Sequence, residues 1–159
     1  QNILVGIDAM SRSNYSINVA AIDLKKNKSD FSNYSYFDTD ISAPGGSSMG
    51  KGIYSCFAYN NYGFISGTSM SAPIVSGAIG LIKSINPNIS NKEIKKLLRI
   101  TGEKIDTLIG PLLQIDKALL YLKNNPSISE LSADNQTQKR INELRKEINT
   151  LLEECPGCN

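Results

Sequence analysis

Residues 66–85 read SGTSMSAPIVSGAIGLIKSI. From position 69 onward, small and apolar residues occupy every face of this segment, which predicts a helix that is buried on all sides. Gly77 and Gly80 each cost up to about 1 kcal/mol of helix propensity, so we expect close packing against them. Pro73 is compatible with the helix because it falls near the first turn, where a missing N–H breaks no hydrogen bond.

The start of this segment is a candidate chemical site. Gly67 permits a sharp turn, and Ser69 follows at the mouth of the helix, where backbone N–H groups and the positive end of the helix dipole surround it. Such a position stabilises the oxyanion that forms when a serine oxygen attacks a carbonyl carbon. Threonine and serine are also ordinary helix caps. On the residues alone capping is the commoner role, and both alternatives stay open.

The composition is that of a globular chain and argues against several classes of partner. Of the 159 residues, 40% are hydrophobic and 20% are charged. The net charge of +2 gives no reason to expect a nucleic-acid or membrane-surface partner. No apolar run approaches the ~18 residues of a membrane span, and the start shows no basic segment followed by an apolar signal region. The chain has no histidine, so it supplies no imidazole base or imidazole metal ligand.

Periodicity and turn residues predict further elements before residue 124. A β-branched apolar run over 17–23 indicates a buried strand followed by a turn. Pro44 and the paired glycines within 43–48 indicate that regular structure stops there. The other predicted elements are short strands over 53–57 and 62–66, a strand or extended loop over 31–36, a helix from the capping box at Ser90 to about Gly102, and a helix over 114–123.

Residues 125–159 are predicted to form a polar linker, an amphipathic helix and a CxxC tail. The apolar stripe of the helix consists of Ile141, Leu144, Ile148 and Leu151. It covers about two heptads, which is too short to argue for a coiled coil. Packing back onto the domain is the commoner outcome for such a helix, and self-association is the alternative.

The cysteines do not form a recognisable framework. Cys56, Cys155 and Cys158 are an odd set, which does not indicate closed disulfide pairing. A zinc site at the CxxC pair would need two more good ligands, and Cys56 supplies only one. We therefore expect an exposed turn at the tail, with thiols that are free or bridged to each other or to another chain.

Several segments together resemble one known family. Residues 67–73, with Val75, Gly77 and Ala78 beyond them, resemble the nucleophile signature of subtilisin-like serine peptidases. The other matching segments, in the family's order, are 19–23 with 31–34 (a strand and loop), 40–45 (the Ala-Pro-Gly segment), and 86–87, 90–98 and 110–119 (the closing helices). The resemblance covers roughly residues 16–122.

The resemblance implies roles for four residues. In that family a nucleophilic serine works with a histidine base, an aspartate that orients the histidine, and an asparagine that donates to the oxyanion. Ser69 matches the nucleophile, and its own N–H would be one oxyanion donor. Thr68 matches the threonine that helps form the oxyanion pocket. Ser66 and Gly67 match the stretch whose backbone meets the substrate on the leaving-group side.

The histidine, aspartate and asparagine of the family have no counterpart in this chain. Residues 1–124 thus resemble the C-terminal part of a subtilase catalytic domain, an α/β fold with a mostly parallel sheet and flanking helices. The expected partners are a peptide or protein substrate and an upstream segment, in the same or a separate chain, that carries the missing groups. The expected function is serine endopeptidase activity, and the alternative is an inactive scaffold. Alone, the chain is expected to be inactive and to fold poorly.

The resemblance also has implications for cofactors and for location. Catalysis in the family requires no cofactor, and calcium is common among its members. Asp38 and Asp40 are too few ligands to identify a calcium site, since calcium takes ~6–8 oxygens. The family favours a secreted or otherwise extracytoplasmic location. The substrate sequence is not indicated by this chain.

Overall fold

The computed structural model describes residues 13, 15–35, 38–105, 108–125 and 146. Contacts divide the chain into two units, residues 1–128 and 129–159. In the second unit the described residue is Lys146, which is helical. The rest of the expected amphipathic helix and the CxxC tail lie outside the described residues. In the described part of the chain, no helix is long and apolar enough to cross a membrane.

Two short parallel strands form the centre of the first unit. β1 (Val19–Ile22) pairs with β2 (Ile41–Pro44), in a register that runs from Val19 opposite Ile41 to Ile22 opposite Pro44. Six of the eight residues in the two strands are buried, as expected for parallel strands covered on both faces. The strand predicted within 17–23 is confirmed.

β2 was not predicted, because Pro44 and the glycines after it read as a stop. The strand accommodates Pro44 because successive N–H groups of a strand point to opposite edges. The Gly45 N–H donates to the Ile22 carbonyl at 2.9 Å. The neighbouring position, Pro44, therefore faces away from β1, and its missing donor breaks no bond between these strands.

The far edge of β2 pairs with a segment near residue 112. The Ser42 N–H donates to the Pro111 carbonyl at 2.8 Å, and the Leu113 N–H donates to the Ser42 carbonyl at 2.9 Å. Just before β2, the Asp40 carboxylate lies 3.1 Å from Lys95 Nζ and accepts the Asn18 N–H at 2.9 Å. The side chain of Asp40 is about nine-tenths buried, so this ion pair joins β2 to the helical layer.

The three helices predicted from the sequence are confirmed: α1 (Thr68–Ile85), α2 (Asn91–Thr101) and α3 (Ile115–Asn124). α1 packs on both β1 and β2, and α3 contacts both α1 and α2. α2 begins with the expected capping box, since Ser90 and Glu93 each bind the other's backbone N–H.

The prediction that α1 is buried on all sides is wrong for the described residues. One face, formed by Ser71, Val75, Ala78 and Ile82, is buried. Beside that face, Ile74, Leu81 and Ile85 are 36%, 52% and 53% exposed. A Cβ added at Gly77 or Gly80 would meet nothing within 4 Å, so the expected close packing against these glycines is also absent here. The described strands and helices cover α1 from one side only.

A separate antiparallel hairpin precedes α1. β3 (Ile53–Phe57) pairs with β4 (Asn61–Ile65), and Tyr59 and Asn60 adopt positive φ values of 60° and 57° in the turn between them. The first strand was predicted at these bounds, and the second begins and ends one residue earlier than predicted. The described pairing is therefore mixed, with β1–β2 parallel and β3–β4 antiparallel. Residues 31–35 form a loop with one isolated bridge position rather than a strand.

Candidate active site

The turn between β4 and α1 is fixed to the end of β2. Gly67 has φ and ψ both near 158°, a conformation that is essentially restricted to glycine. The Gly67 N–H donates to the Gly45 carbonyl at 2.9 Å, and the Ser66 hydroxyl donates to the Ser47 carbonyl at 3.0 Å. The sharp turn expected from the sequence at Gly67 is thus held by two hydrogen bonds, one from the Gly67 backbone and one from the Ser66 side chain.

Ser71 provides a second attachment of α1 to β2. Its hydroxyl is fully buried and lies 3.0 Å from the Ala43 carbonyl oxygen and 3.1 Å from that of Pro44. A Cβ at Gly45 would lie 2.5 Å from the Ser71 oxygen, so this close approach requires glycine. Sequence reasoning identified Ser71 only as a small residue and missed this role.

The start of α1 leaves the Ser69 side chain unused as a cap. The N-cap residue is Gly67, and no side chain makes a capping hydrogen bond. Thr68 and Ser69 are therefore the first and second helical residues. Ser69 is exposed, and within the part of the chain that the structure describes its hydroxyl has no hydrogen-bond partner. The capping alternative that the sequence left open is not the role this serine has here.

The electrostatics at this helix start favour a negative charge. The backbone N–H groups of the first turn have no partner within the helix, and the aligned peptide dipoles place partial positive charge there. The first turn of α1 contains no acidic residue to neutralise that charge. A developing oxyanion near Ser69 would therefore be stabilised by the helix itself.

A cavity of about 410 Å³ lies beside the first turn of α1. Its walls are formed by Ile17, Asn18, Val19, Asn33, Asp38, Thr39, Thr68, Ser69 and Ala72. Thr68 and Ser69 thus line the cavity, whereas Ser66 and Gly67 are not among its lining residues. Sequence reasoning missed Asn18 and Asn33 as part of this wall, because the strand predicted over 17–23 and the matching segment over 31–34 assign no role to these side chains, and both lie far from Ser69 in the chain.

Acidic residues near the cavity do not assemble a metal site in the described structure. Asp38 lines the cavity and accepts a hydrogen bond from the Ser35 hydroxyl at 3.0 Å. Asp40 is engaged by Lys95 instead. No group of three or more histidine, cysteine, aspartate or glutamate side chains occurs among the described residues in a metal-binding arrangement. Cys56 is a free, exposed thiol on β3.

Comparison with known proteins identifies the family. The model of the subtilase family matches residues 2–143, which is most of the chain. The chain belongs to the subtilase family. Thermitase from Thermoactinomyces vulgaris is 39% identical over 89 residues, which cover 56% of this chain and 29% of thermitase. Subtilisin DY from Bacillus licheniformis is 35% identical over 89 residues, which cover 56% of this chain and 30% of that protein.

Solved structures show the same subtilisin-like fold. A protease from Pseudoalteromonas arctica superposes with a TM-score of 0.65 and 27% identity, covering 71% of this chain and 38% of the other. The nisin leader peptidase NisP from Lactococcus lactis superposes with a TM-score of 0.64 over 72% of this chain and 36% of the other. The α/β fold class expected from the sequence is confirmed. This subtilase chain spans about 30% of the length of the curated relatives it matches.

Proposed function

We propose that this chain is the nucleophile-bearing part of a serine endopeptidase of the subtilisin type, and that Ser69 is the nucleophile. The observation that carries the proposal is the position of Ser69 in α1. Its exposed hydroxyl follows a Gly67 N-cap, makes no capping bond and borders the cavity. Membership of the subtilase family supports the reaction class.

In the proposed mechanism, Ser69 Oγ attacks the carbonyl carbon of a peptide bond. A histidine base takes the serine proton and then gives it to the leaving amine, which leaves an acyl group on Ser69. Water attacks the acyl group, and the carboxylic acid product and free serine are released. This chain has no histidine, so the base must come from outside residues 1–159.

The oxyanion of this reaction is assigned to the start of α1. The Ser69 N–H and the positive end of the helix dipole would stabilise it, with Thr68 beside them. The asparagine donor typical of the family would come with the missing segment. We assign Ser66 and Gly67 to the leaving-group side of the substrate, because the tethered turn presents their backbone immediately before the nucleophile.

We propose an upstream subtilase segment, in the same or a separate chain, as the partner that carries the histidine, aspartate and asparagine. The exposed face of α1 supports this assignment. Ile74, Leu81 and Ile85 are apolar, and the space beside Gly77 and Gly80 is open to a closely packed element. In this arrangement residues 1–124 are the C-terminal part of the catalytic domain, followed by a separate appendage.

A fluorophosphonate probe tests the proposed nucleophile. The reconstituted domain, in which this chain is combined with its upstream segment, should be labelled on Ser69 and lose the label in Ser69→Ala. Ser76→Ala is the matched control, because Ser76 is an exposed serine on the same helix. Absence of labelling in the folded, reconstituted domain would contradict the proposal and leave the inactive scaffold as the function.

Family membership also supports a proposal about cofactors and a proposal about cellular location. We propose that the reaction requires no cofactor, so chelation by EDTA should leave the chemistry of Ser69 intact in a domain that stays folded. Loss of labelling with EDTA and recovery with calcium, at an unchanged fold, would contradict that. We also propose an extracytoplasmic location, which fractionation of producing cells tests.

A further inference from the structure

The β3–β4 hairpin carries three aromatic rings side by side on one exposed face. Tyr54, Tyr62 and Phe64 share that face because Tyr54 is paired with Phe64 and side chains alternate along a strand. The rings are 60%, 63% and 61% exposed, respectively. The centroid of Tyr54 lies 5.0 Å from that of Phe64 and 6.0 Å from that of Tyr62. We call these three residues the aromatic strip.

The aromatic strip lies within a long uncharged stretch of the sequence. No Asp, Glu, Lys or Arg occurs from residue 52 to residue 82, a range that includes the hairpin and the Ser69 turn. A charged partner side chain would lose hydration on these rings, and the hairpin residues themselves offer it no ion pair. The chemistry of the strip therefore fits a neutral, apolar or aromatic side chain.

The size of the aromatic strip fits a peptide rather than a second copy of the chain. An aromatic side chain buries about 150–250 Å² when fully covered, so three rings that are about 60% exposed offer roughly 300–450 Å². A stable protein–protein interface needs about 800 Å² from each partner. One or two side chains of an extended peptide would cover the strip.

The aromatic strip is attached to the proposed nucleophile by a short, anchored connection. β4 ends at Ile65, and Ser66 and Gly67 are hydrogen bonded to the loop after β2. At about 3.3 Å per residue, Phe64 lies within roughly 17 Å of Ser69. An extended substrate covers that distance with about three to five residues.

We propose that the aromatic strip binds an apolar or aromatic side chain of the substrate, three to five residues beyond the scissile bond on the leaving-group side. This inference rests on the proposed function of Ser69, because the substrate must first be held by the leaving-group stretch at Ser66 and Gly67. It names a substrate class: peptides with a hydrophobic residue downstream of the cleaved bond. Binding at the strip adds affinity far from the reacting atoms.

The test compares matched peptides in the reconstituted domain. The peptides differ only in carrying Phe, Ser or Glu at the third, fourth or fifth residue after the cleaved bond. The double variant Tyr54→Thr/Phe64→Thr removes two rings and keeps strand propensity. Tyr59→Asn is the control, because Tyr59 is an exposed aromatic residue in the turn of the same hairpin and asparagine tolerates its positive φ.

We expect kcat/KM to favour the Phe peptide over the Ser peptide by roughly tenfold in the parent domain and in Tyr59→Asn, and over the Glu peptide by at least as much. The double variant should reduce the preference to about twofold or less, with fluorophosphonate labelling of Ser69 unchanged. A preference that persists in the double variant, or that is absent in the parent, would overturn the assignment of the strip. Loss of Ser69 labelling in the parent would instead overturn the proposed function.

Discussion

Among single residues, Ser71 connects the candidate site most directly to the sheet. Its buried hydroxyl lies within hydrogen-bonding distance of two carbonyl groups at the end of β2, two residues after Ser69. The hydroxyl thus positions the first turn of α1, and Ser71 is not among the residues that line the cavity beside Ser69. We regard Ser71 as a positioning residue.

Replacing Ser71 by alanine should destabilise the reconstituted domain by about 1 kcal/mol, because it removes the hydrogen bond that the buried hydroxyl makes to the end of β2. Ser76→Ala should change stability by less than about 0.5 kcal/mol, since its hydroxyl is exposed and bonds only within α1. Urea denaturation of the two variants checks the difference. Equal midpoints would show that the Ser71 hydroxyl does not hold the helix to the sheet.

At this scale the candidate site was only partly predictable. The Gly-Thr-Ser sequence before a helix indicated Thr68 and Ser69, and both line the cavity. Asn18 lies in the predicted strand over 17–23 and Asn33 in the segment over 31–34, and neither pattern predicts that these side chains lie beside Ser69. The approach of Gly45 to Ser71 depends on tertiary packing, which a local pattern does not encode.

Among the elements, α2 is the one whose start was best determined by its sequence. The Ser90 hydroxyl accepts the Glu93 N–H at 3.2 Å, and the Glu93 carboxylate accepts the Ser90 N–H at 2.8 Å and its hydroxyl at 2.6 Å. These bonds from Ser90 lower the pKa of the Glu93 carboxyl below its ordinary value of 4.5.

Ser90→Ala should destabilise the domain by about 1 kcal/mol through loss of the cap. Because the folded-state pKa of Glu93 is depressed, the carboxylate contributes stability above pH 4.5 and loses it as the pH falls through the folded-state value. The stability difference between parent and variant should therefore shrink below pH 4.5. Thermal unfolding of both proteins at pH 7 and pH 3 measures this stability difference. A difference that is larger at pH 3 would refute the contribution of the ionised Glu93 carboxylate to the capping box.

The elements that were predicted well carry local signals. The capping box defines the start of α2, a 3.6-residue apolar period defines α2 and α3, and aromatic content indicates the strands of the hairpin. β2 was missed because it depends on a tertiary partner on each edge, β1 on one side and Pro111 to Leu113 on the other. The burial of α1 was overestimated because an apolar helix sequence does not tell which molecule covers it.

At the scale of the whole molecule, a substitution at Gly77 tests whether the exposed face of α1 is covered by another element in the complete domain. In this chain alone, Gly77→Ala should stabilise α1 by up to about 1 kcal/mol, because the added methyl meets open space and alanine favours the helix. In the reconstituted domain the same change should destabilise, because a closely packed neighbour leaves no room for it. Circular dichroism of the chain alone measures whether Gly77→Ala raises the helix content. Urea unfolding of the reconstituted domain measures whether the same change lowers the free energy of unfolding. Stabilisation in both would mean that nothing packs against Gly77.

The chain alone should be inactive and fold poorly. A serine hydroxyl without a base is a weak nucleophile at neutral pH. Exposed Ile74, Leu81 and Ile85 each forgo part of the roughly 1.5–3 kcal/mol that full burial provides, against a typical stability of ~5–15 kcal/mol. Peptide hydrolysis and thermal unfolding of residues 1–159 test both statements. Peptide hydrolysis that disappears in Ser69→Ala would refute the prediction of inactivity. A cooperative thermal transition together with dispersed amide resonances would refute the prediction of poor folding.

The hairpin and the far-edge pairing of β2 form at very different times. A hairpin closed by a short turn forms in about 1–10 μs. The Ser42 hydroxyl, in contrast, binds the Pro111 carbonyl across 69 positions of the chain. At ~5–20 residues per second, a ribosome needs roughly 2–9 s to proceed from Ser66 to Pro111. For those seconds the nascent chain presents an unpaired edge of β2 together with an uncharged, tyrosine-rich hairpin, and an exposed strand edge of this kind is a site that a chaperone would protect during synthesis.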